Sequence, residues 1–492
     1  MIQQGSDILT EFHIGLDDTD SKQGGCTTYT ATLIFEKLLQ ENITPADFPW
    51  LVRLNPNIPW KTRGNGALAV HLETTEKSIT RIRQIVKDTI LDTSDPSIPG
   101  TDPAAIFLEG PVPDEVRQFC TSALHEVLTI KQADHLLSAL NAEVYTVKGR
   151  RGIIGALAAL GYGAERDHTY EIIGYRTKKM LGKPRRVDLD SVRKMDEHKE
   201  FRTFNNVDPE TGRVLTCPHG PDPVLIGVRG EDPADLVAAF LMVELEELVE
   251  RVMIFKTNQG TDAHFDREST IRDISVHQSV RLNGRVSSPP KTLKGGHVFF
   301  QLEDPTGVVD CAAYQPTGSF RNTILGLIAG DRVEAYGGVR QGPEERLTVN
   351  LEKLAILSLE EDAHYLRPRC ASCGSSCESM GRDQGFRCRK CGRRFPRERL
   401  TRSVLPRRLR ETFYLPPPRA HRHLTKPESR QHAEIDKSQA QMVHDKLSGA
   451  ALLPVQCLSP SSAPKTSHSD PRRTLRAKPW HSTPSARTRS IA

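Results

Sequence analysis

The chain has 492 residues, of which 37% are hydrophobic, 26% charged and 6% aromatic, with a net charge of +5. That length calls for several domains rather than one. No apolar run approaches the roughly 20 residues of a membrane span, and the N-terminus lacks a signal peptide's basic-then-apolar layout, so no membrane partner is expected and the expected compartment is the cytoplasm.

In chain order, "EFHIGLDD" predicts a strand that runs into a loop. "TTYTATLIFEKLLQE" follows with apolar residues at helical spacing (Tyr29, Leu33, Ile34, Leu38). "LVRLNP" and "GALAVHLE" predict further strands, and "TTEKSITRIRQIVKDTIL" a helix behind a Thr cap. The Pro, Asp and Ser density between Asp92 and Asp102 predicts a loop. Residues 111–140 read as helical, "AEVYTVKG" as a strand, and "RGIIGALAALGYG" as a short helix of small residues. A second α+β unit follows: "HTYEIIGYR" and "PVLIGVRG" as strands, "RRVDLDSVRKMDEH" as a connecting helix, then a helix, strand and turn up to Asp262.

From about 272 to 358 the texture changes to five short strands joined by Gly, Pro and Asp turns, with the helical "FRNTILGLIAG" before the fourth. This is similar to the OB-fold, a five-stranded Greek-key barrel that commonly binds nucleic acid. Phe299, Phe300 and Tyr314 are candidate base-stacking groups, and alternating aromatics that fill the barrel are the competing reading. Cys370-x2-Cys373 and Cys388-x2-Cys391 have the spacing of two knuckles that close a tetrahedral, structural four-thiolate zinc site. Cys377 is a spare thiol beside them. Arg387, Arg389, Lys390, Arg393 and Arg394 make this module basic, which suits a phosphate backbone or a merely solvated face. Residues 401–429 form a basic Pro-rich segment, and residues 430–492 lack amphipathic pattern and read as a disordered or artefactual tail.

Asp17, Asp18 and Asp20 close the first predicted strand. Acids there are poor core residues and would face a ligand at the sheet edge. Mg2+ takes one or two carboxylates together with substrate phosphates. Gly24 and Gly25 would let backbone amides approach phosphate, and Thr27 and Thr28 open a helix whose N-terminus favours anions. An Asp-rich turn with a Thr cap is the plain alternative. Lys61 and Arg63, in a Pro/Gly-framed loop, add the cations that phosphoryl transfer needs. A solvated basic loop is the alternative there.

"IGLDDTDS…GGCTTYTA", "RLNPNIPWKTRGNGA", "GRRGIIGALAALG", "HTYEIIGYR", "PDPVLIGVRG", the OB-like segment, the four-cysteine ribbon and "PPPRAHRHLTKP" occur in that order. Across residues 11–427 the chain closely resembles the archaeal tRNA-Ile 2-agmatinylcytidine synthetases. The resemblance implies four domains: a kinase-like α/β domain (11–145), a ferredoxin-like domain (146–268), an OB-fold (272–358) and a zinc ribbon (366–400), an α+β multidomain protein overall. It implies an ATP-dependent enzyme that joins agmatine to C2 of the wobble cytidine of a CAU-anticodon isoleucine tRNA, so that the tRNA decodes AUA. The cytidine's C2 oxygen is phosphorylated and the agmatine amine then displaces phosphate.

By the same resemblance, Thr27 is an autophosphorylated threonine essential to the kinase step. Asp17, Asp18 and Asp20 hold Mg2+ and ATP. Gly25 departs from relatives that carry a larger residue. Lys61, Arg63 and Asn65 fall in a loop near the nucleotide. Asp222 in "PDPVLIG" is a candidate for the dicationic agmatine. No obligate protein partner is implied. The competing reading is a non-catalytic RNA- or single-stranded-DNA-binding protein built on the OB-fold and ribbon, in which the N-terminal acids and cations need not converge.

Overall fold

The structure is a computed structural model that describes residues 9–163, 165–342, 345–396, 401–431 and 452–453. The described residues up to His264, and again from His421, form one compact unit; Phe265–Ala420 form a second. Most of the expected tail lies outside the described residues.

The first unit is built on one sheet. Its elements are β1 (Thr10–Asp17), α1 (Thr27–Gln40), β2 (Trp50–Arg53), β3 (Gly66–Thr74), α2 (Glu76–Thr93), β4 (Ala104–Glu109), α3 (Asp114–His125), α4 (Ile130–Leu137), β5 (Ala142–Thr146), α5 (Gly152–Leu160), β6 (Thr169–Arg176), α6 (Leu189–Glu197), β7 (Thr203–Phe204), β8 (Val224–Gly230), α7 (Pro233–Met242) and β9 (Val249–Thr257). The strand order is β5-β4-β1-β3-β2-β9-β6-β8-β7. The parallel pair in this series is β2 with β9, Trp50 opposite Lys256 and Leu51 opposite Thr257. That short ladder joins the kinase-like and ferredoxin-like strands into a single surface.

Helices cover both faces. α1 and α2 bury Ile34, Phe35, Ile82 and Val86 against Phe12, Ile14 and Leu16 of β1, in a core that continues beneath α6 and α7. α3, α4 and α5 bury Phe119, Leu124, Leu137, Leu157 and Leu160 against Val52, Ala69 and Ile106 on the other side. The expected boundary at 145 assigned the small-residue helix α5 to the second domain, yet it packs on β1, β3 and β4 of the first. Its small residues serve that approach: a Cβ on Gly15 of β1 would lie 2.1 Å from the Ala156 carbonyl oxygen. The strand β4, "AAIFLE", between β5 and β1, is absent from the sequence reading. Its first five residues are buried, so no polar alternation marks it as a strand.

The second unit contains β10 (Glu268–Ser269), β11 (Ser279–Thr292), β12 (Val298–Asp304), β13 (Gly307–Ala313), α8 (Phe320–Leu325), β14 (Arg332–Gln341) and β15 (Leu347–Ser358). β11-β12-β13-β15-β14 closes through the β11–β14 pairing, and α8 precedes the fourth barrel strand, the expected OB layout. Beyond the barrel, β16 (Ala363–Leu366) pairs with β20 (Thr401–Val404), and the ribbon is β17 (Cys377–Ser379), β18 (Phe386–Cys388) and β19 (Arg394–Phe395). β21 (Phe413–Tyr414) pairs with β15.

The chain then re-enters the first unit. α9 (Glu428–Gln431) brings Arg430, placed by the sequence reading in the tail, to 3% exposure. It donates to Glu231 Oε1 at 2.5 Å and to Asp167 Oδ1 at 2.9 Å. The ordered chain therefore continues past the expected start of the tail at 430. Within the tail, β22 (Leu452–Leu453) pairs with β9. Among the described residues, no helix is long and apolar enough to cross a membrane.

Candidate active site

A cavity of about 450 Å3 opens in the first unit. Its lining includes Asp17, Asp18, Asp20, Thr27, Thr28, Lys61, Arg63, Asn65 and Asp222. These residues come from the end of β1, the start of α1, the β2–β3 loop and the approach to β8. Gly24 and Gly25 do not line it. Gly25 turns the chain with φ +75° and accepts a 3.0 Å hydrogen bond from Arg63 Nη2.

β1 delivers the acids. Asp17 is its last residue, and Asp18 turns out of the strand with φ +59°, the left-handed region that Asp tolerates better than most side chains. The strand is antiparallel to both neighbours, β3 and β4. The sheet-edge rule for parallel sheets therefore does not account for the acids' position; a strand end facing the start of α1 does. Asp17 lies against α5 where Gly155 has no side chain: a Cβ there would be 1.9 Å from Asp17 Oδ2.

Each acid has its own partner. Asp17 Oδ1 accepts the Asp18 amide at 2.7 Å. Asp18 Oδ2 accepts Arg151 Nη2 at 2.8 Å and Nε at 3.2 Å. Asp20 accepts Arg63 at Oδ2 and Thr27 Oγ1 at Oδ1, the latter at 3.5 Å. Burial, then the Asp18 and Asp20 charges, push the Asp17 carboxyl well above its ordinary range. Burial pushes Asp18 up to about 6 despite Arg151. Burial also raises Asp20, opposed by Arg63.

A divalent cation would relieve that cost, and the donor set fits one. The three acids face the same cavity but do not converge. Among the described residues, the groups whose ligand atoms gather within 4.8 Å are limited to the four ribbon cysteines. Mg2+ suits this spacing, because it takes few protein carboxylates and completes its shell from phosphates and water.

Thr27 is the first residue of α1. It is buried, and its Oγ1 also accepts from Thr19 Oγ1 at 3.2 Å. Cys26 precedes it as an extended N-cap; no side chain caps the helix and no acid sits in its first turn. The amides of Thr27 and Thr28 at the helix start lie at the anion-favouring end of the dipole. Thr28 packs its hydroxyl on Cys26 Sγ at 2.9 Å. Arg63 and Asn65 hold the β2–β3 loop in left-handed conformations, φ +47° and +50°. Asn65 Nδ2 donates to Asn55 O at 2.9 Å, and Lys61 Nζ to Ile58 O at 3.2 Å. Asp222 is on the wall, but its Oδ1 is engaged by Arg185 Nη2 at 3.2 Å and the Val224 amide at 3.1 Å.

Among the wall residues that sequence reasoning missed are Arg53, Arg151, Glu171, Arg229 and His423. The signal was available for Glu171 and Arg229, charged residues inside apolar strands. Arg151 stood in the quoted "GRRG", and His423 in "PPPRAHRHLTKP", where composition suggested only a basic linker.

In the second unit, Cys370 and Cys391 Sγ atoms are 3.5 Å apart, as are Cys373 and Cys388. A tetrahedral zinc with Zn–S of about 2.3 Å has edges of about 3.8 Å, so the four thiols fit that ion. Cys377 is buried beside them and outside the group. Arg387, Arg389, Lys390, Arg393 and Arg394 are exposed, and Glu378 pairs with Arg387 at 2.9 Å and Arg389 at 3.4 Å. Phe300 is corrected: at 2% exposure it fills the barrel core. Successive residues of a strand face opposite sides, so Phe299 emerges where Phe300 enters. Its ring lies 6.0 Å from Tyr314, which sits 5.1 Å from His297, giving a partly exposed aromatic group.

The profile of the TiaS TCKD domain matches residues 13–149, and that of the TiaS FLD domain residues 150–264. An OB-fold nucleic acid binding domain matches 280–357, and the TiaS C-terminal zinc ribbon domain 367–409. The tRNA(Ile2) 2-agmatinylcytidine synthetase TiaS of Pyrococcus horikoshii is 41% identical over 415 residues, 84% of this chain and 96% of that protein. The Methanocaldococcus jannaschii protein of the same name is 39% identical over 420 residues, 84% and 97% of the two chains. Among solved structures, a TiaS–tRNA(Ile2)–ATP complex superposes with a TM-score of 0.78 at 39% identity, covering 86% of this chain and 98% of the other. A TiaS–tRNA(Ile2)–AMPCPP–agmatine complex gives 0.75 at 37% identity, with the same coverage. This chain belongs to the TiaS family, the tRNA(Ile2) 2-agmatinylcytidine synthetases.

Proposed function

We infer that the chain is an ATP-dependent tRNA(Ile2) 2-agmatinylcytidine synthetase whose reaction takes place in the cavity of the first unit. The observation that carries this is a shared cavity. Asp17, Asp18, Asp20, Thr27, Lys61, Arg63 and Asn65, dispersed over three segments, line one cavity. A binding module built on the OB-fold and ribbon alone has no use for that arrangement.

In this reading Asp17 and Asp20 are the acids placed to hold Mg2+, and the ion when bound supplies charge for ATP's phosphates. Arg63 shields Asp20 and steers it; Arg151 does the same for Asp18. Thr27 Oγ1, between Thr19 and Asp20, is positioned to take a phosphoryl group from ATP as its proton passes to a carboxylate, the P–O bond to the nucleotide breaks and the nucleotide departs. The wobble cytidine enters unstacked, as a flipped base. Its C2 oxygen accepts a phosphoryl group from ATP: the O–P bond forms, the P–O bond to the rest of the nucleotide breaks and that nucleotide departs, and the C2 oxygen becomes a leaving group. The agmatine amine attacks C2: the C–N bond forms, the C2–O bond breaks, phosphate departs, and the amine's proton goes to an acceptor on the wall. Asp222 remains the proposed carboxylate for agmatine's cationic end. The Phe299–Tyr314 pair and the ribbon's basic side chains are the proposed RNA contacts.

The test is incubation of the protein with ATP, Mg2+, labelled agmatine and an isoleucine tRNA transcript with a CAU anticodon. Label enters the tRNA; none in the presence of folded protein refutes the reading. Thr27→Ala abolishes incorporation while tRNA binding persists, and equal loss of binding refutes the division of labour between the cavity and the RNA-binding modules.

A further inference from the structure

The acidic side of the cavity faces a second group of charges that the reaction as written does not use. Arg53 ends β2, and Asn258 clamps its backbone from both sides: Asn258 Oδ1 accepts Arg53 N–H at 2.7 Å, and Asn258 Nδ2 donates to Arg53 O at 2.8 Å. Behind it lies Glu171, 4% exposed. Glu171 accepts Arg229 Nε at 3.1 Å and Gln259 Nε2 at 2.5 Å. His423 Nδ1 sits 3.1 Å from Arg229 Nη2 and 3.0 Å from Gln259 Oε1. Burial, then the Arg53 and Arg229 charges, hold the imidazole well below its ordinary pKa, so it is neutral.

Arg53 is the poorly satisfied member. Its nearest carboxylate among the described residues is Glu171 at 3.9 Å, and its buried Nε has no hydrogen-bond partner. Two guanidiniums thus share one carboxylate beside a neutral histidine, an excess of one positive charge. A half-satisfied buried guanidinium costs stability unless an anion completes it. The loop above is shaped to admit this group: a Cβ on Gly64 would lie 2.6 Å from Arg53 Nη1 and 2.7 Å from His423 Nε2. A guanidinium fork open to a cavity matches the geometry of a phosphate.

We propose that Arg53 is a phosphate-binding residue of the cavity, positioned from behind by Glu171, Arg229 and His423, and that the segment His421–Gln431 therefore serves the substrate site by delivering His423 to its wall. The segment is fixed in place for this. Gly260 N–H donates to His423 O at 2.9 Å, Asp262 N–H to Leu424 O at 2.8 Å, and Lys426 N–H to Asp262 Oδ1 at 2.7 Å. Arg430 anchors its far end. The proposal rests on the reading of the cavity as the ATP and tRNA site, which offers two sources of phosphate: the nucleotide triphosphate and the backbone of the flipped nucleotide.

The experiment measures binding of a non-hydrolysable ATP analogue and of the tRNA transcript separately, then kcat and KM for ATP, tRNA and agmatine, in the full chain. Wild-type protein that binds neither refutes the reading of the cavity itself. With wild-type binding established, Arg53→Gln weakens one of the two by at least about tenfold, the worth of a charge-assisted hydrogen bond. Loss on the ATP side assigns the triphosphate; loss on the tRNA side assigns the backbone phosphate. The agmatine KM stays unchanged, since agmatine is itself a cation.

His423→Ala shifts the same KM in the same direction by less. His423→Gln restores it, because the amide can accept from Arg229 and donate to Gln259. A folded Arg53→Gln protein that binds both ligands as tightly as wild type overturns the proposal, as does an effect confined to agmatine. Should Arg53→Gln not fold, Arg53→Lys, which keeps the charge and loses the fork, is held to the same criterion: weakened binding supports the proposal and wild-type binding overturns it.

Discussion

Gly155→Ala is the sharpest perturbation of the acidic side, because helix propensity and tertiary structure predict opposite results. Gly155 lies inside α5, where alanine ordinarily stabilises a helix by about 1 kcal/mol over glycine. Here the new Cβ would be 1.9 Å from Asp17 Oδ2 and 2.6 Å from its Cγ. Relief requires the carboxylate to move by roughly 1 Å, and overpacking of this kind costs about 1–3 kcal/mol. Asp17 cannot swing freely, since its Oδ1 accepts the Asp18 amide at 2.7 Å. The propensity gain and the strain nearly offset, so stability falls by about 0–2 kcal/mol. Activity falls far more, on the order of 10²-fold for a misplacement of this size. Thermal melting and incorporation of labelled agmatine into tRNA measure the two. In an Asp17→Ala background the carboxylate clash is gone and a tight Cβ–Cβ contact of 3.2 Å remains, so adding Gly155→Ala becomes close to neutral, within about 1 kcal/mol either way. A Gly155→Ala protein with a raised Tm and activity within about threefold of wild type refutes the placement of Asp17 against α5.

The acids also predict a pH dependence of metal binding. Asp18 titrates at about 6 and Asp17 well above its ordinary range, so in metal-free protein their contribution to stability is complete below the unfolded carboxylate range and is lost as pH rises through those values. Mg2+ requires Asp17 and Asp20 ionised, and burial raises both; its thermal stabilisation, present at alkaline pH, shrinks as pH falls toward the ordinary carboxylate range, and an Mg2+ shift of Tm that does not change with pH refutes this. Phe300→Ala lowers stability by about 3–5 kcal/mol in urea unfolding, whereas Phe299→Ala leaves stability nearly intact and weakens tRNA binding by about 1–3 kcal/mol; the reverse pattern sinks the assignment. Ending the chain after Gln431 removes only the two-residue β22 pairing from the described part of the first unit and lowers its Tm little. Ending it after Pro427 removes Arg430 from Asp167 and Glu231 and lowers stability by up to about 3 kcal/mol, the carboxylates being only three-quarters buried; equal melting of the two truncations would show that the anchor contributes nothing.

Much of this protein is legible without coordinates, and for local reasons. α1 and α2 carry apolar residues at helical spacing. The OB strands are punctuated by glycines, prolines and aspartates. The zinc site is written in two C-x2-C pairs, because a tetrahedral thiolate site demands that chemistry at short range. Asp17, Asp18, Asp20 and Thr27 drew notice because charge at the end of a buried strand is costly unless something uses it.

What tertiary structure decided is whatever depends on contact between distant segments. β4 has no alternation because both its faces are covered. α5 follows the expected domain boundary in sequence but packs on the preceding strands, and only that packing explains Gly155. Phe299 and Phe300 are indistinguishable as letters; the barrel's pleat sends one outward and the other into the core. His423 lies 194 residues from Arg229, with which it pairs, and 164 from Gln259, so no local pattern connects them. The sequence by itself determined the elements, the zinc ligands and the acids. The folded chain decided which charges share one cavity, because a long-range ion pair or buried hydrogen bond depends on position in space and leaves no periodic mark on the chain.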